Sequence, residues 1–322
     1  MVVNIEFETW LRTFAKNSSN SFVRDSEDMI QYLFELDRGL PSKYGWRATS
    51  VMALGEQLKR AKSAEEINSI YWQNMARSIE AYGLMVIWRG TELTRAALRS
   101  LNSHEILAPA VLSRSLLELA ATVLVNSNTI QNTVEDILAF TMPSKGVAVC
   151  GELEELLTRI IYGTRIGNPP EHLKQTNILT YIQRVSRHPD ASDLLQVYEY
   201  LCDLAHPNVL GNARFWARVQ ETKEGGSPML RMERHAESMV TEETREKILW
   251  ALGWSAACAR NGFEIGQKTV QAILKRWPKS NCQGARQDMS SDSSSLLIVF
   301  ETWRALYDFC LLVRSCLKPS LC

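Results

Sequence analysis

Apolar residues along this chain recur mostly at spacings of three and four, the period of a helix that hides one face. Short amphipathic helices are predicted over Ile5–Lys16 and Ser26–Arg38, followed by a break at Gly39-Leu40-Pro41. Another covers Ala48–Lys62. Ser63-Ala64-Glu65-Glu66 fits a capping box, in which the serine oxygen accepts a backbone N–H and the glutamate reaches back. It opens a long helix to about Leu101. Asn102 and Ser103 reset the chain, and a second long helix runs to about Val125. Pro109 falls near its start, where a missing N–H costs least. Further helices are expected at Thr133–Phe140, Val147–Tyr162, Glu171–Arg187, Ser192–Ala205 and Glu242–Trp277. Gly253, Gly262 and Gly266 dilute the last of these and predict a kink or a close helix contact.

One stretch changes period. Arg214–Glu221 alternates Phe215, Ala217 and Val219 with polar neighbours, and Met229–Glu233 does the same with Leu230 and Met232. Gly225-Gly226 lies between them, so a β-hairpin is expected, with a helix over Asn212–Glu221 as the competing reading. The segment Pro278–Ser295 is serine-rich and nearly devoid of apolar residues, which reads as a linker. Beyond it, Phe300, Trp303, Leu306, Tyr307, Cys310 and Leu311 build one broad apolar helical face. The fold expected is mainly α, a multi-helix bundle with one small β-hairpin insertion. Residues 1–62 form an N-terminal helical extension and 63–277 the bundle, with the hairpin near 214–234. Residues 278–295 form a flexible linker and 296–322 a C-terminal docking helix.

Composition adds exclusions. The chain has 322 residues with 36 basic and 36 acidic side chains, so the basic excess that usually marks a nucleic-acid or membrane-surface binder is missing. Met1–Trp10 carries acidic residues where a secretion signal needs positive charge. No run of 18 uncharged apolar residues occurs; the nearest candidate, Leu296–Leu317, is interrupted by Glu301, Arg304, Asp308 and Arg314. The seven cysteines are scattered without a CxxC pair, which fits neither a disulfide framework nor a zinc site. A cytoplasmic protein without membrane attachment is expected.

The most informative residues are two charges in an apolar setting. In Leu107–Val125 only Arg114 and Glu118 are charged, and a helix apolar on nearly every side is expected at a bundle centre. The two share a face, but with arginine first, the weaker order for a surface pair. They are therefore expected to project into the core or a cavity, completed by a partner from another helix. The candidate partner is the run Tyr198-Glu199-Tyr200-Leu201-Cys202-Asp203-Leu204-Ala205-His206-Pro207-Asn208. Pro207 should end that helix at His206, where the negative end of the dipole and a nearby Glu118 would favour a protonated imidazole. One reading makes His206 a capping histidine tied to a carboxylate. The other makes it an acid/base or ligand-binding group, with Arg114 holding a phosphate and Tyr198, Asp203 and Asn208 lining the site. Asp203 and His206 also have the i, i+3 spacing of di-iron bundles, with Glu118 as a third ligand. Only one such motif is present where two are needed, so no metal and no cofactor are expected. P-loop, dinucleotide, zinc-protease and nucleophile-elbow motifs do not occur.

The helix bearing Arg114 and Glu118, the segment YEYLCDLAHPN around His206 and the Gly-containing hairpin resemble a group of bacterial all-α proteins distantly related to the HEPN superfamily (higher eukaryote and prokaryote nucleotide-binding domain). The resemblance covers roughly residues 79–235. It implies a bundle of four or more helices, often dimeric, with relatives that include defence ribonucleases and non-catalytic nucleotide-binding or interaction modules. The catalytic signature of the nuclease branch is an arginine, four to six residues, then a histidine. His206 departs from it, because Glu199, Tyr200 and Leu201 stand where arginine is required. Arg99–His104 meets the spacing, as one pair in a chain this rich in arginine would by chance. Two functions follow as expectations. One is a bacterial defence or stress effector acting on RNA or a nucleotide without metal, with His206, Arg114 and Glu118 as its catalytic residues. The other is a non-enzymatic helical interaction module whose Arg-Glu-His cluster is structural, with residues 296–317 engaging a protein partner.

Overall fold

A computed structural model describes residues 6–46, 51–140, 146–207 and 241–278, together with residues 212 and 215 and the backbone of 217–220 and 229–232. The architecture there is mainly helical. The helices are α1 (Thr9–Asn17), α2 (Ser21–Arg24), α3 (Ser26–Gly39), α4 (Val51–Arg60), α5 (Ala64–Asn102), α6 (Leu107–Phe140), α7 (Gly151–Tyr162), α8 (Ile178–Val185), α9 (Leu194–Ala205) and α10 (Glu242–Arg276). Two strands, β1 (Ala217–Gln220) and β2 (Met229–Met232), pair antiparallel with Ala217 opposite Met232. Residues 221–228, which would join them, lie outside the described residues, as do 279–322 with the expected linker and docking helix.

The described chain divides into two compact units. One takes its residues from Met1–Ser42, Gly83–Asn128 and Thr176–Glu264; the other takes them from Lys43–Tyr82, Thr129–Gln175 and Ile265–Cys322. In the first, Leu11, Ile30, Leu33, Ile87, Leu98, Leu101 and Leu117 are fully buried. Two glycines of α10 mark close contacts there. A Cβ on Gly253 would lie 2.9 Å from Ser26 Cβ and 3.0 Å from the Phe22 carbonyl, and one on Gly262 would lie 2.9 Å from Val123. The close helix contact anticipated from these glycines is thus present.

In the second unit the core gathers Tyr71, Trp72, Met75, Ile79, Ile130, Val134, Leu153, Leu157, Ile273 and Trp277. Trp72 and Trp277 stack with ring centroids 4.6 Å apart. The segment before α7 is laid along α5 by hydrogen bonds. The Asn68 side chain donates to the Gly146 carbonyl (3.0 Å) and accepts from the Ala148 N–H (2.7 Å), and the Trp72 indole donates to the Ala148 carbonyl (3.0 Å). Extended in this way, residues 147–150 cannot join the helix expected from Val147; α7 begins at Gly151, where Cys150 Sγ accepts from the Leu153 N–H.

Several helix boundaries differ from the sequence reading for local reasons. The break expected between Val125 and Thr133 is absent. Val123, Ser127, Ile130 and Val134 are all buried, so the buried face continues at three- and four-residue intervals through the polar stretch. Asn128 and Thr133 bond back to the carbonyls of Leu124 and Thr129 at 2.8 Å, a bond that a helix tolerates. The helix expected over Glu171–Arg187 is a 3₁₀ turn at Glu171–Leu173 followed by α8, because the Asn177 side chain accepts from the Leu179 N–H and restarts the helix. At α5 the capping box forms in a shifted version: Ser63 Oγ accepts from the Glu66 N–H, while Glu66 Oε2 accepts from the Lys62 N–H.

Candidate functional site

Arg114 and Glu118 sit one turn apart on α6, in the unit that also holds α9. Arg114 Nε lies 3.3 Å from Glu118 Oε1, and the two side chains are 32% and 30% exposed. At that exposure they do not project into a sealed core, the first of the two placements expected from the apolar run around them. The reason is the exposure of α6 itself: Leu107 and Val111, at the positions that continue the Arg114–Glu118 stripe, are about 40% exposed. Leu107–Ala139 is long and apolar enough to cross a membrane by length and composition alone, yet 50% of its most apolar window is buried within the fold. α6 is a half-covered helix whose apolar character reaches its uncovered side.

The partner from α9 is Tyr198. Its hydroxyl donates to Glu118 Oε1 at 3.0 Å, and its ring lies under the Arg114 guanidinium with Cζ 5.9 Å from the centroid. Cys202 stands one turn further along α9, on the same face. Burial works against the Arg114 charge, but Cys202, Tyr198 and Glu118 outweigh it and hold the guanidinium pKa above its ordinary value. Burial first, and the Glu118 carboxylate second, push the Tyr198 phenol up. Burial also pushes the Cys202 thiol up, against the pull of Arg114. Cys202 is therefore a neutral thiol at neutral pH and no ready nucleophile. The counter-charge to Arg114 is Glu118, and Tyr198 is a neutral donor.

His206 ends α9 as anticipated. Its backbone is extended (φ −82°, ψ 132°), as the following proline requires, and its N–H bonds to the Cys202 carbonyl at 3.1 Å. The imidazole is exposed, and among the described residues no hydrogen bond or ion pair joins it to Glu118 or Arg114. Tyr198 faces α6 from more than two turns upstream, so the far end of α9 carries His206 away from that contact. Asp203 is exposed as well, and Asn208 lies outside the described residues. The structure thus brings together Arg114, Glu118 and Tyr198 and leaves His206 and Asp203 apart from them. Among the described residues no three His, Cys, Asp or Glu side chains are grouped to hold a metal ion. Cys202 escaped the sequence reading; its i+4 relation to Tyr198 was the available signal. No family model, curated protein or solved structure matches the chain.

Proposed function

We propose that this chain is a non-enzymatic helical binding module, in which Arg114, Glu118 and Tyr198 clamp α9 to α6. One observation carries the reading. The Glu118 carboxylate is closed on Arg114 and on the Tyr198 hydroxyl, while the only histidine of the segment is exposed and unconnected to it. Metal-free RNA cleavage needs a base that reaches the attacking 2′-hydroxyl and a group that holds the phosphate beside it, and His206 and Arg114 are not gathered around one such place. A half-buried ion pair capped by a tyrosine instead supplies helix-to-helix register.

The resemblance to HEPN-like bundles agrees with this reading through its non-catalytic branch. We further propose a cytoplasmic bacterial protein that works as a homodimer, with the strands at 217–220 and 229–232 closed into a hairpin by Gly225-Gly226. Residues 296–317 are the segment we propose for contact with a protein partner, on the strength of their amphipathic pattern.

The test compares RNA from cells expressing the wild type with RNA from cells expressing His206→Ala, at matched soluble protein. Intact RNA in both is expected. Discrete fragments with the wild type that vanish in the variant would overturn the reading in favour of a ribonuclease effector centred on His206.

A further inference from the structure

Residues 296–317 lie outside the described residues, but their sequence sets Phe300, Trp303, Leu306, Tyr307 and Leu311 on one face at helical spacing. A single amphipathic helix gains most of its stability by packing that face against another surface. The tether decides which surface it meets first. The described chain ends at Pro278, whose carbonyl accepts from the Ser69 hydroxyl at 2.7 Å, so the point of departure is fixed on the second unit. Residues 279–295 span at most about 55 Å when fully extended. A tether of that reach holds the segment around its own unit at an effective concentration on the order of millimolar. A separate protein at micromolar concentration is roughly a thousandfold more dilute and wins only by binding correspondingly tighter.

The second unit also offers a place for it. Among its described residues the exposed large apolar side chains are Val149 at 43%, Ile166 at 88% and Leu274 at 39%. Ile166 stands at the tip of a loop closed by the Thr164 N–H on the Leu173 carbonyl at 2.9 Å, away from the core. Val149 and Leu274 border the core instead. Val149 follows Ala148, whose carbonyl accepts from the Trp72 indole, and Leu274 stands one turn before Trp277, which stacks on Trp72. Trp72 and Trp277 are themselves buried. The two aliphatic side chains are what the core leaves uncovered at the edge from which the chain departs.

We propose that residues 296–317 fold back as a helix onto this edge, over Val149 and Leu274, and that a protein partner reaches the segment only by displacing it. The proposal rests on the reading of 296–317 as the contact segment and adds its regulation, an autoinhibitory contact within the chain.

Cys310 lies on the apolar side of the segment, so proximity can be read by thiol crosslinking in the full chain. Leu274→Cys and Val149→Cys, each treated with a short bismaleimide and mapped by peptide mass, should link to Cys310 or Cys316 within one molecule. Ile166→Cys, more exposed but at the loop tip, should not. Leu306→Pro, added to either variant, should abolish the links and lower the helical circular dichroism. Links no more frequent from positions 149 and 274 than from 166, with the dichroism lowered by Leu306→Pro, would overturn the docking and leave the segment open to a partner. Links that join two molecules would overturn it in favour of a second copy as the occupant. Dichroism unchanged by Leu306→Pro would overturn both the docking and the helical contact segment on which it rests.

Discussion

A single hydroxyl joins α9 to the ion pair on α6. Tyr198 donates to Glu118 at 3.0 Å where Arg114 and Glu118 are each about one-third exposed. Removing it leaves Glu118 paired with Arg114 and reachable by water, so the loss is that of one net hydrogen bond. Tyr198→Phe should lower unfolding free energy by about 1 kcal/mol in denaturant titration, with no change in slope. A loss several times larger would mean that Glu118 depends on Tyr198 for its charge.

The Arg12–Glu27 pair makes a residue-scale prediction in pH. Arg12 Nε and Nη2 both donate to Glu27, at 2.8 and 2.7 Å. The hydrogen bond from Arg12 holds the Glu27 pKa below its ordinary value of 4.5, against the opposing effect of burial. A carboxylate with a depressed folded pKa contributes stability that is present above the unfolded value and lost as pH falls through the folded one. The wild-type melting temperature should therefore fall more steeply below pH 4.5 than that of Glu27→Gln, and the two curves should converge at the acid end. Parallel curves across that range would show that the pair is fully screened.

At the scale of the element, what decides a glycine's worth is what stands opposite it. Gly55 on α4 has nothing within 4 Å of its missing Cβ, whereas Gly253 on α10 meets Ser26 and the Phe22 carbonyl at 2.9–3.0 Å. Gly55→Ala should stabilise by roughly 0.5–1 kcal/mol, from helix propensity and the lost freedom of the unfolded chain. Gly253→Ala should destabilise by about 1–3 kcal/mol, because backbone atoms cannot swing aside. Thermal melts of the two variants should move in opposite directions, and a stabilising Gly253→Ala would contradict the packing described. The same logic explains α6, where the largely polar run Asn126–Asn132 reads as a break only until the buried positions within it are known.

For the whole molecule, the question is whether His206 belongs to a catalytic centre. Its position follows from Pro207, which stops α9 before another turn can form; the direction in which the imidazole then points depends on everything around it. The exposed imidazole and the closed Arg114–Glu118–Tyr198 cluster make RNA fragments that depend on His206 an unexpected outcome.

The helical class, the ends of α3, α5 and α9, and the caps at Ser63 and His206 were legible in the sequence. Each is set by residues within a turn or two of one another, where periodicity, propensity and capping act. The sequence also singled out Arg114 and Glu118 as chemically unusual, since charges in an apolar run need a partner, and offered the run from Tyr198 to Asn208 to supply it. Only the tertiary structure decided which partner that is. The unbroken α6, the restart of the chain at α8 and the exposure of His206 were also settled there. Those outcomes depend on contacts between residues far apart in the chain, whose energies no local pattern encodes.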